Sequence, residues 1–169
     1  IKNCFFGIDQ LYAAQENSNI QILNNDFDKF NTFIFSTISN STLKNNLIPN
    51  IWFTSNTVSP TAPKTGNNLI ENNIIRAIYL SESNNNIIIK NEINIISMAH
   101  SSNNKIRDNK LIIRGTGALA SGTPANLLLT SSDQNIIEHN IFDGQNFKST
   151  RENVTGGVFG ILGGKNNTL

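Results

Sequence analysis

The sequence lacks the features that mark several common protein classes. It has a single cysteine, Cys4, among 169 residues, so no disulfide can form within the chain. No apolar run approaches the roughly 20 residues that a membrane-spanning helix needs. Charged residues make up 15% of the chain and the formal net charge is +1, which does not favour binding to nucleic acid or to an anionic membrane.

Asparagine and isoleucine dominate the composition. The chain contains 30 asparagines and 25 isoleucines. Asparagine is a poor helix former because its side chain competes for backbone hydrogen bonds, and β-branched isoleucine favours strands. An asparagine-rich disordered chain is one interpretation of this composition, and a bias in the codons of an AT-rich genome is another. The regular spacing of the apolar residues argues against disorder.

A motif with two asparagines repeats along the chain. Segments 68–75, 86–93, 104–111 and 135–142 align without gaps as Asn-x-apolar-x-x-Asn-x-apolar. Three further segments fit loosely, and the second asparagine then falls at positions 3, 25, 46, 73, 91, 109 and 140. A spacing of 18 residues occurs twice in succession, and the longer spacings contain insertions.

The spacing around the second asparagine requires a corner. The apolar residues on either side of it are five apart, so a continuous strand would place them on opposite faces. A short turn before the asparagine brings both inward, and polar residues with access to left-handed geometry suit it. Its second position is occupied by Asn72, Lys90, Asp108 and His139. We expect the second asparagines to point inward and to form one ladder of stacked amides about 4.8 Å apart.

A further strand is predicted after each corner. Segments 48–53, 75–80 and 93–98 align position for position. Their predicted inward residues are Ile48, Ile51, Phe53, Ile75, Ile78, Leu80, Ile93, Ile96 and Met98. No ten-residue stretch holds a helical apolar stripe, and Asp143-Gly144 is the only dipeptide typical of a two-residue hairpin. The pattern therefore disfavours helices and antiparallel sandwiches.

These motifs resemble the right-handed parallel β-helix repeat family of pectate-lyase-like and NosD-like proteins. The resemblance rests on Asn68 to Asn73 followed by Ile78-Tyr79-Leu80. It implies an all-β solenoid of about seven coils. Residues 1–169 are expected to form a single domain or a fragment of a longer solenoid, truncated at both ends. Loop insertions are expected near 54–66, 115–132 and 144–165, where no repeat is recognised.

The resemblance also implies an extracellular role, on a cell surface or a virion. Our first hypothesis is a non-enzymatic scaffold of the adhesin or phage-tailspike type that binds a polysaccharide or cell-surface glycan. One alternative is a polysaccharide lyase or glycoside hydrolase, and another is a self-stacking fibre subunit. Homo-oligomers of this type are trimers or end-to-end stacks. No cofactor, metal, nucleic-acid partner or membrane insertion is expected.

The candidate ligand site centres on two aromatic residues. Trp52 and Tyr79 occupy the same outward repeat position on neighbouring strands, so their rings are predicted to lie side by side, as in surfaces that bind sugar rings. Asp28 and Arg76 share another outward position, and Glu82 follows the same strand as Tyr79. A pair of rings that only support each other and the adjacent insertion is the competing interpretation.

No catalytic residue can be assigned from the sequence. Glycoside hydrolysis needs two carboxylates about 5 to 10 Å apart. Glu71 and Glu138 share a repeat position but are expected to lie several coils apart, whereas Asp133 and Asp143 flank one coil and could converge. The other carboxylates considered are Asp28, Glu82 and Asp108. The acidic calcium cluster of pectate lyases is missing, and His100 and His139 lack the spacing of metal ligands.

Overall fold

The protein is described by a computed structural model, which covers residues 17–27, 33–36, 38–55, 65–112, 126–143 and 159–169. These residues form sixteen β-strands, numbered here in chain order, and no helix. Every strand pairing among them is parallel. The all-β, parallel-strand part of the prediction is confirmed.

The strands belong to three sheets. The six-stranded sheet contains, in spatial order, β2 (Gln21–Leu23), β5 (Thr42–Lys44), β7 (Leu69–Glu71), β9 (Ile87–Ile89), β11 (Lys105–Arg107) and β14 (Ile136–Glu138). The eight-stranded sheet has a main path of β3 (Phe33–Ser36), β6 (Leu47–Thr54), β8 (Ile74–Ser81), β10 (Glu92–Ala99), β12 (Lys110–Ile112) and β15 (Ile141–Asp143). Strands β13 (Leu127–Thr130) and β16 (Phe159–Leu162) extend it from β10, and β1 (Asn17–Ser18) pairs with β4 (Ile38–Ser39).

The large sheets meet in one hydrophobic cluster. Strands such as β5 and β7 bury their middle residue and direct the flanking residues outward, as the two-residue period of a strand requires. These middle residues pack with the inward residues of the longer strands in a single core. All nine predicted inward residues of β6, β8 and β10 are buried, which confirms their assignment.

The corner residues adopt the predicted left-handed geometry. Asn72, Lys90, Asp108 and His139 have φ between 54° and 56°. Such a φ costs most L residues about 1–2 kcal/mol, but asparagine and aspartate tolerate it better because their side chains bond locally. The corner after each short strand is thus set by its own residues, which return the chain to the core side.

The second asparagines form the expected ladder, which we call the second asparagine row. Its members are Asn25, Asn46, Asn73, Asn91, Asn109 and Asn140, and each Nδ2 donates to the next Oδ1 at 3.0–3.2 Å. From Asn46 to Asn109 the side chains are buried, whereas Asn25 is exposed. The inward prediction therefore holds for the central members of the row.

A first asparagine row was not predicted. It contains Asn68, Asn86, Asn104, Asn135 and Asn167, joined by amide bonds of 2.9–3.1 Å. Each Oδ1 also accepts a hydrogen bond from the backbone N–H of the preceding member. The two asparagines of each motif therefore serve neighbouring corners, and both satisfy buried amides that would otherwise be costly.

The predicted limits of two loop insertions are wrong. Strand β13 lies inside the predicted loop 115–132, and β16 lies inside 144–165. Leu127 and Leu129 of β13 are buried and pair in register with Ile96 and Met98 of β10. An insertion after Ile112 separates β13 from Asn109, the second-row asparagine that precedes it, whereas Leu129 keeps the regular six-residue distance to Asn135 of the next motif.

Candidate functional site

Strands β6 and β8 place the two candidate aromatic residues side by side. Trp52 is in register with Tyr79, and the residues before and after each of them point into the core. Their ring centroids are 5.7 Å apart with an interplanar angle of 46°. Trp52 is 38% exposed and Tyr79 is half-buried. The predicted outward adjacency is confirmed, and it leaves part of both rings accessible to a ligand.

The repeat position of the aromatic pair continues into the neighbouring strands. Phe35 of β3 is in register with Trp52, and Ser97 of β10 is in register with Tyr79. The next position is Leu128 of β13, which is buried. Beyond Tyr79 this position therefore holds a serine and then a leucine, so no further ring follows the pair in that direction.

Arg76 lies on β8, three residues before Tyr79, and its side chain is exposed. With the amide of Asn50 oriented to satisfy both of its ends, Asn50 Nδ2 donates to the Pro49 carbonyl and its Oδ1 accepts from Arg76 at 3.1 Å. Asn50 is buried and stands two residues before Trp52 on β6. Sequence reasoning missed Asn50, because an uncharged side chain outside the asparagine rows carries no distinguishing signal.

Glu82 lies at a left-handed corner with φ 52° just beyond β8, where its carbonyl accepts from Ser55 Oγ at 2.7 Å. It is three residues from Tyr79, at most about 10 Å along an extended chain. Asp28 lies outside the described residues. The structure therefore joins Trp52 with Tyr79 and Arg76 with Asn50, and it places Glu82 as many residues after Tyr79 as Arg76 is before it.

Glu71 and Glu138 form ion pairs with different lysines. Glu71 bonds Lys44 at 2.8 Å, and this hydrogen bond holds the pKa of Glu71 below its usual value. Glu138 bonds Lys105 at 3.0 Å, which lowers its pKa in the same way. Three register steps, about 14 Å, separate Glu71 from Glu138, as their repeat positions predict.

Asp133 and Asp143 also bond different groups. Asp143 pairs with Lys110 at 2.9 Å, and its hydrogen bond raises the pKa of the lysine. Asp133 Oδ1 accepts from the backbone N–H of Lys165 at 2.7 Å. Asp143 thus bonds the lysine of a neighbouring strand, and Asp133 bonds the backbone that follows β16.

The two histidines lie at left-handed corners. His100 has φ 49° and His139 has φ 54°, and His139 Nδ1 is 3.7 Å from an oxygen of Asp108. Within the ranges that the structure describes, no three histidine, cysteine or acidic side chains converge as a metal-binding group. Nor do these ranges include a helix long and apolar enough to cross a membrane.

Comparisons with known proteins give no independent assignment. No family model, no curated protein and no solved structure matches this chain. The resemblance to β-helix repeat proteins therefore rests on the motif and on the geometry described above.

Proposed function

We propose that this chain forms a right-handed parallel β-helix. The support is the register: each short strand pairs in parallel with its counterpart one repeat further along the chain. The second asparagine row runs from Asn25 to Asn140 across these repeats, and the first row runs from Asn68 onward. Parallel strands joined by crossovers in one sheet are right-handed in about 98% of cases. A stack of such repeats is a solenoid in which each repeat contacts its neighbours.

On this scaffold we propose a carbohydrate-binding surface centred on Trp52 and Tyr79. The observation that carries the proposal is their outward placement with ring centroids 5.7 Å apart. Two adjacent rings present apolar faces on which the C–H face of a sugar can pack. The exposed Arg76, three residues before Tyr79 on β8, adds hydrogen-bond donors on the same strand. The protein would then act as an extracellular or virion-surface scaffold that attaches to glycans, like adhesins and tailspikes.

A glycan array followed by fluorescence titration tests this proposal. Trp52 is the only tryptophan in the chain, so its emission reports directly on a ligand at the site. We expect a bound oligosaccharide to change this emission and Tyr79→Ala to weaken binding by about tenfold, the loss of about one stacking contact. Ile74→Ala is the matched control, because Ile74 is another exposed apolar residue of β8.

The same ligands distinguish attachment from degradation. A reducing-end assay on each glycan that binds should show no new ends if the protein is only a binding scaffold. New reducing ends that depend on the protein would support the alternative of a polysaccharide-degrading enzyme. Binding that persists unchanged in both Trp52→Ala and Tyr79→Ala would remove the aromatic pair from the site.

A further inference from the structure

The outer face of the six-stranded sheet carries two regular rows of side chains. The first residue of each short strand belongs to a leading row and the third to a trailing row. Successive members of each row are in register. On β9, the leading row has Ile87, which is 42% exposed, and the trailing row has Ile89, which is buried. In the trailing row the charged residues Glu71 and Arg107 flank Ile89, whereas in the leading row Ile87 lies between Leu69 and Lys105.

The charges of the trailing row reverse sign across β9. In spatial order this row reads Leu23, Lys44, Glu71, Ile89, Arg107 and Glu138. On one side of Ile89 the row continues with Glu71 and then Lys44, an acid followed by a base. On the other side it continues with Arg107 and then Glu138, a base followed by an acid. Such a pattern is complementary to itself when it is turned about its centre.

The symmetry of that turn is specific. Consider a two-fold axis that runs parallel to the strands above β9, between two copies packed face to face. The axis reverses the order of the strands, so Glu71 faces Arg107 of the second copy and Lys44 faces its Glu138. The exposed Ile87 faces Ile87 of the second copy on the axis. A closed two-fold interface requires this kind of self-complementary surface.

Arg107 is suited to such a contact. Among the described residues, its one ion pair is a long contact of 3.8 Å from Nε to Asp108. Its Nε is buried and makes no hydrogen bond, while the side chain as a whole is 42% exposed. Lys44, Glu71, Lys105 and Glu138 already form close pairs within the chain. Arg107 is thus a charged residue of this face without a close ion pair among the described residues, and the axis places it opposite Glu71 of the second copy.

We propose that the outer face of the six-stranded sheet binds the same face of a second copy of this chain, through a two-fold axis above β9. Ile87 forms the apolar centre, and the pairs of Lys44 with Glu138 and of Glu71 with Arg107 fix the register. This surface lies on a different sheet from Trp52 and Tyr79, so it does not depend on the proposed carbohydrate site.

The size of the face sets the expected strength. Six strands spaced about 4.8 Å apart, each with three residues of about 3.3 Å, give roughly 300 Å² of flat area per copy. This falls below the about 1,200 Å² of total surface that stable complexes bury, so the dimer should be weak and concentration-dependent. Because charges contribute to it, the association should weaken as the salt concentration rises.

Sedimentation velocity over a concentration series at low salt tests the proposal. We expect a monomer–dimer equilibrium for the unaltered protein. Ile87→Asp and Ile87→Lys should each weaken association by about tenfold or more, because like charges then meet on the axis. An equimolar mixture of the two variants should associate again, since opposite charges now face each other. Ile74→Asp, an exposed isoleucine on the other large sheet, should leave association unchanged.

Three results would overturn the proposal. These are a wild-type monomer at about 1 mM, a trimer in place of the dimer, and a mixture of the Ile87 variants that fails to associate although circular dichroism shows both to be folded. If either Ile87 variant fails to fold, the test uses an exchange of charges between Glu71 and Arg107 instead of the two Ile87 variants. Glu71→Arg should then weaken the dimer, and adding Arg107→Glu should restore it. Failure of the double variant to recover would count equally against the axis.

Discussion

Removing one buried amide from the second asparagine row should destabilise the whole protein. Asn91 is buried, and its Nδ2 donates to Ile70 O at 2.8 Å, Ile89 O at 2.9 Å and Asn109 Oδ1 at 3.1 Å. Its Oδ1 accepts from the backbone N–H and the Nδ2 of Asn73, at 2.8 and 3.0 Å. The side chain therefore joins three successive repeats.

Asn91→Ala removes all of these bonds at once. Two buried groups, the Asn73 N–H and the Ile70 carbonyl, lose a partner that water cannot replace. At about 1–3 kcal/mol for each unsatisfied group, and with the smaller losses at Ile89 and Asn109, the free energy of unfolding should fall by about 3 to 5 kcal/mol. The exposed end of the same row provides the control, because water can replace the bonds of Asn25. Asn25→Ala should therefore cost less than about 1 kcal/mol.

Urea denaturation measures both changes. Trp52 fluorescence reports on β6, while far-UV circular dichroism reports on all strands, so agreement between the two curves shows whether the repeats unfold together. The reasoning would be refuted if Asn91→Ala cost less than about 1 kcal/mol, or if Asn25→Ala cost as much as Asn91→Ala.

Asn91→Asp separates the acceptor from the donor role of the amide. The carboxylate keeps an oxygen for Asn73 but turns its other oxygen toward the oxygens of Ile70, Ile89 and Asn109. Burial and this repulsion should raise the pKa of the new carboxyl in the folded state above its unfolded value of about 3.9. The native state then binds more protons, so stability should fall as the pH rises from about 4 to 7. The Asn91→Ala variant carries no such group and should show no added pH dependence.

Three further predictions follow from the corners and ion pairs. A Cβ on Gly66 would lie 2.3 Å from the carbonyl oxygen of Asn84. Gly66→Ala should therefore lower the free energy of unfolding by about 2 kcal/mol or more, measured by urea denaturation. Lys90 has φ 56°, so Lys90→Gly should raise stability by up to about 1 kcal/mol, and a loss in the same denaturation assay would contradict the strain argument. Lys44 lowers the pKa of Glu71 in the folded state. The ion pair therefore adds stability at a pH above the unfolded-state pKa of Glu71, and this stability is lost as the pH falls through the folded-state pKa. In Lys44→Met, an NMR titration should find the Glu71 pKa closer to its usual value and a smaller acid-dependent loss of stability.

The parallel pairing and the second row could be predicted because one short motif encodes both. A left-handed corner before each asparagine makes its inward direction a consequence of local geometry. The first row has the same repeat in the sequence, and the alignment that found Asn73 and Asn91 could have found Asn68 and Asn86. Strand β13 was missed because an insertion separates it from Asn109, the second-row asparagine that precedes it. Its distance from the first row is regular, since Leu129 lies six residues before Asn135 as Met98 lies six before Asn104.

Part of the candidate site could also be predicted from the sequence. Trp52 and Tyr79 each lie six residues beyond a member of the second row, so their adjacency follows from the repeat. The contact of Arg76 with Asn50 does not follow from it. That contact depends on how a long side chain folds back over a neighbouring strand, and the repeat fixes backbone register rather than rotamers.

The asparagine rows also explain how outward residues keep their places while the repeats change in length. Successive row members are 18, 21, 27, 31 or 32 residues apart along the chain, yet each bonds the next directly. What positions an outward residue is therefore its distance from a row asparagine within its own repeat. A shift of one residue within that distance would turn the aromatic ring of Tyr79 toward the core, since side chains alternate along a strand. An insertion that lies outside the stretch from a row asparagine to the outward residue does not change this distance. The segment between Trp52 and Gly66 is such an insertion, so the aromatic pair and the face around Ile87 stay in register.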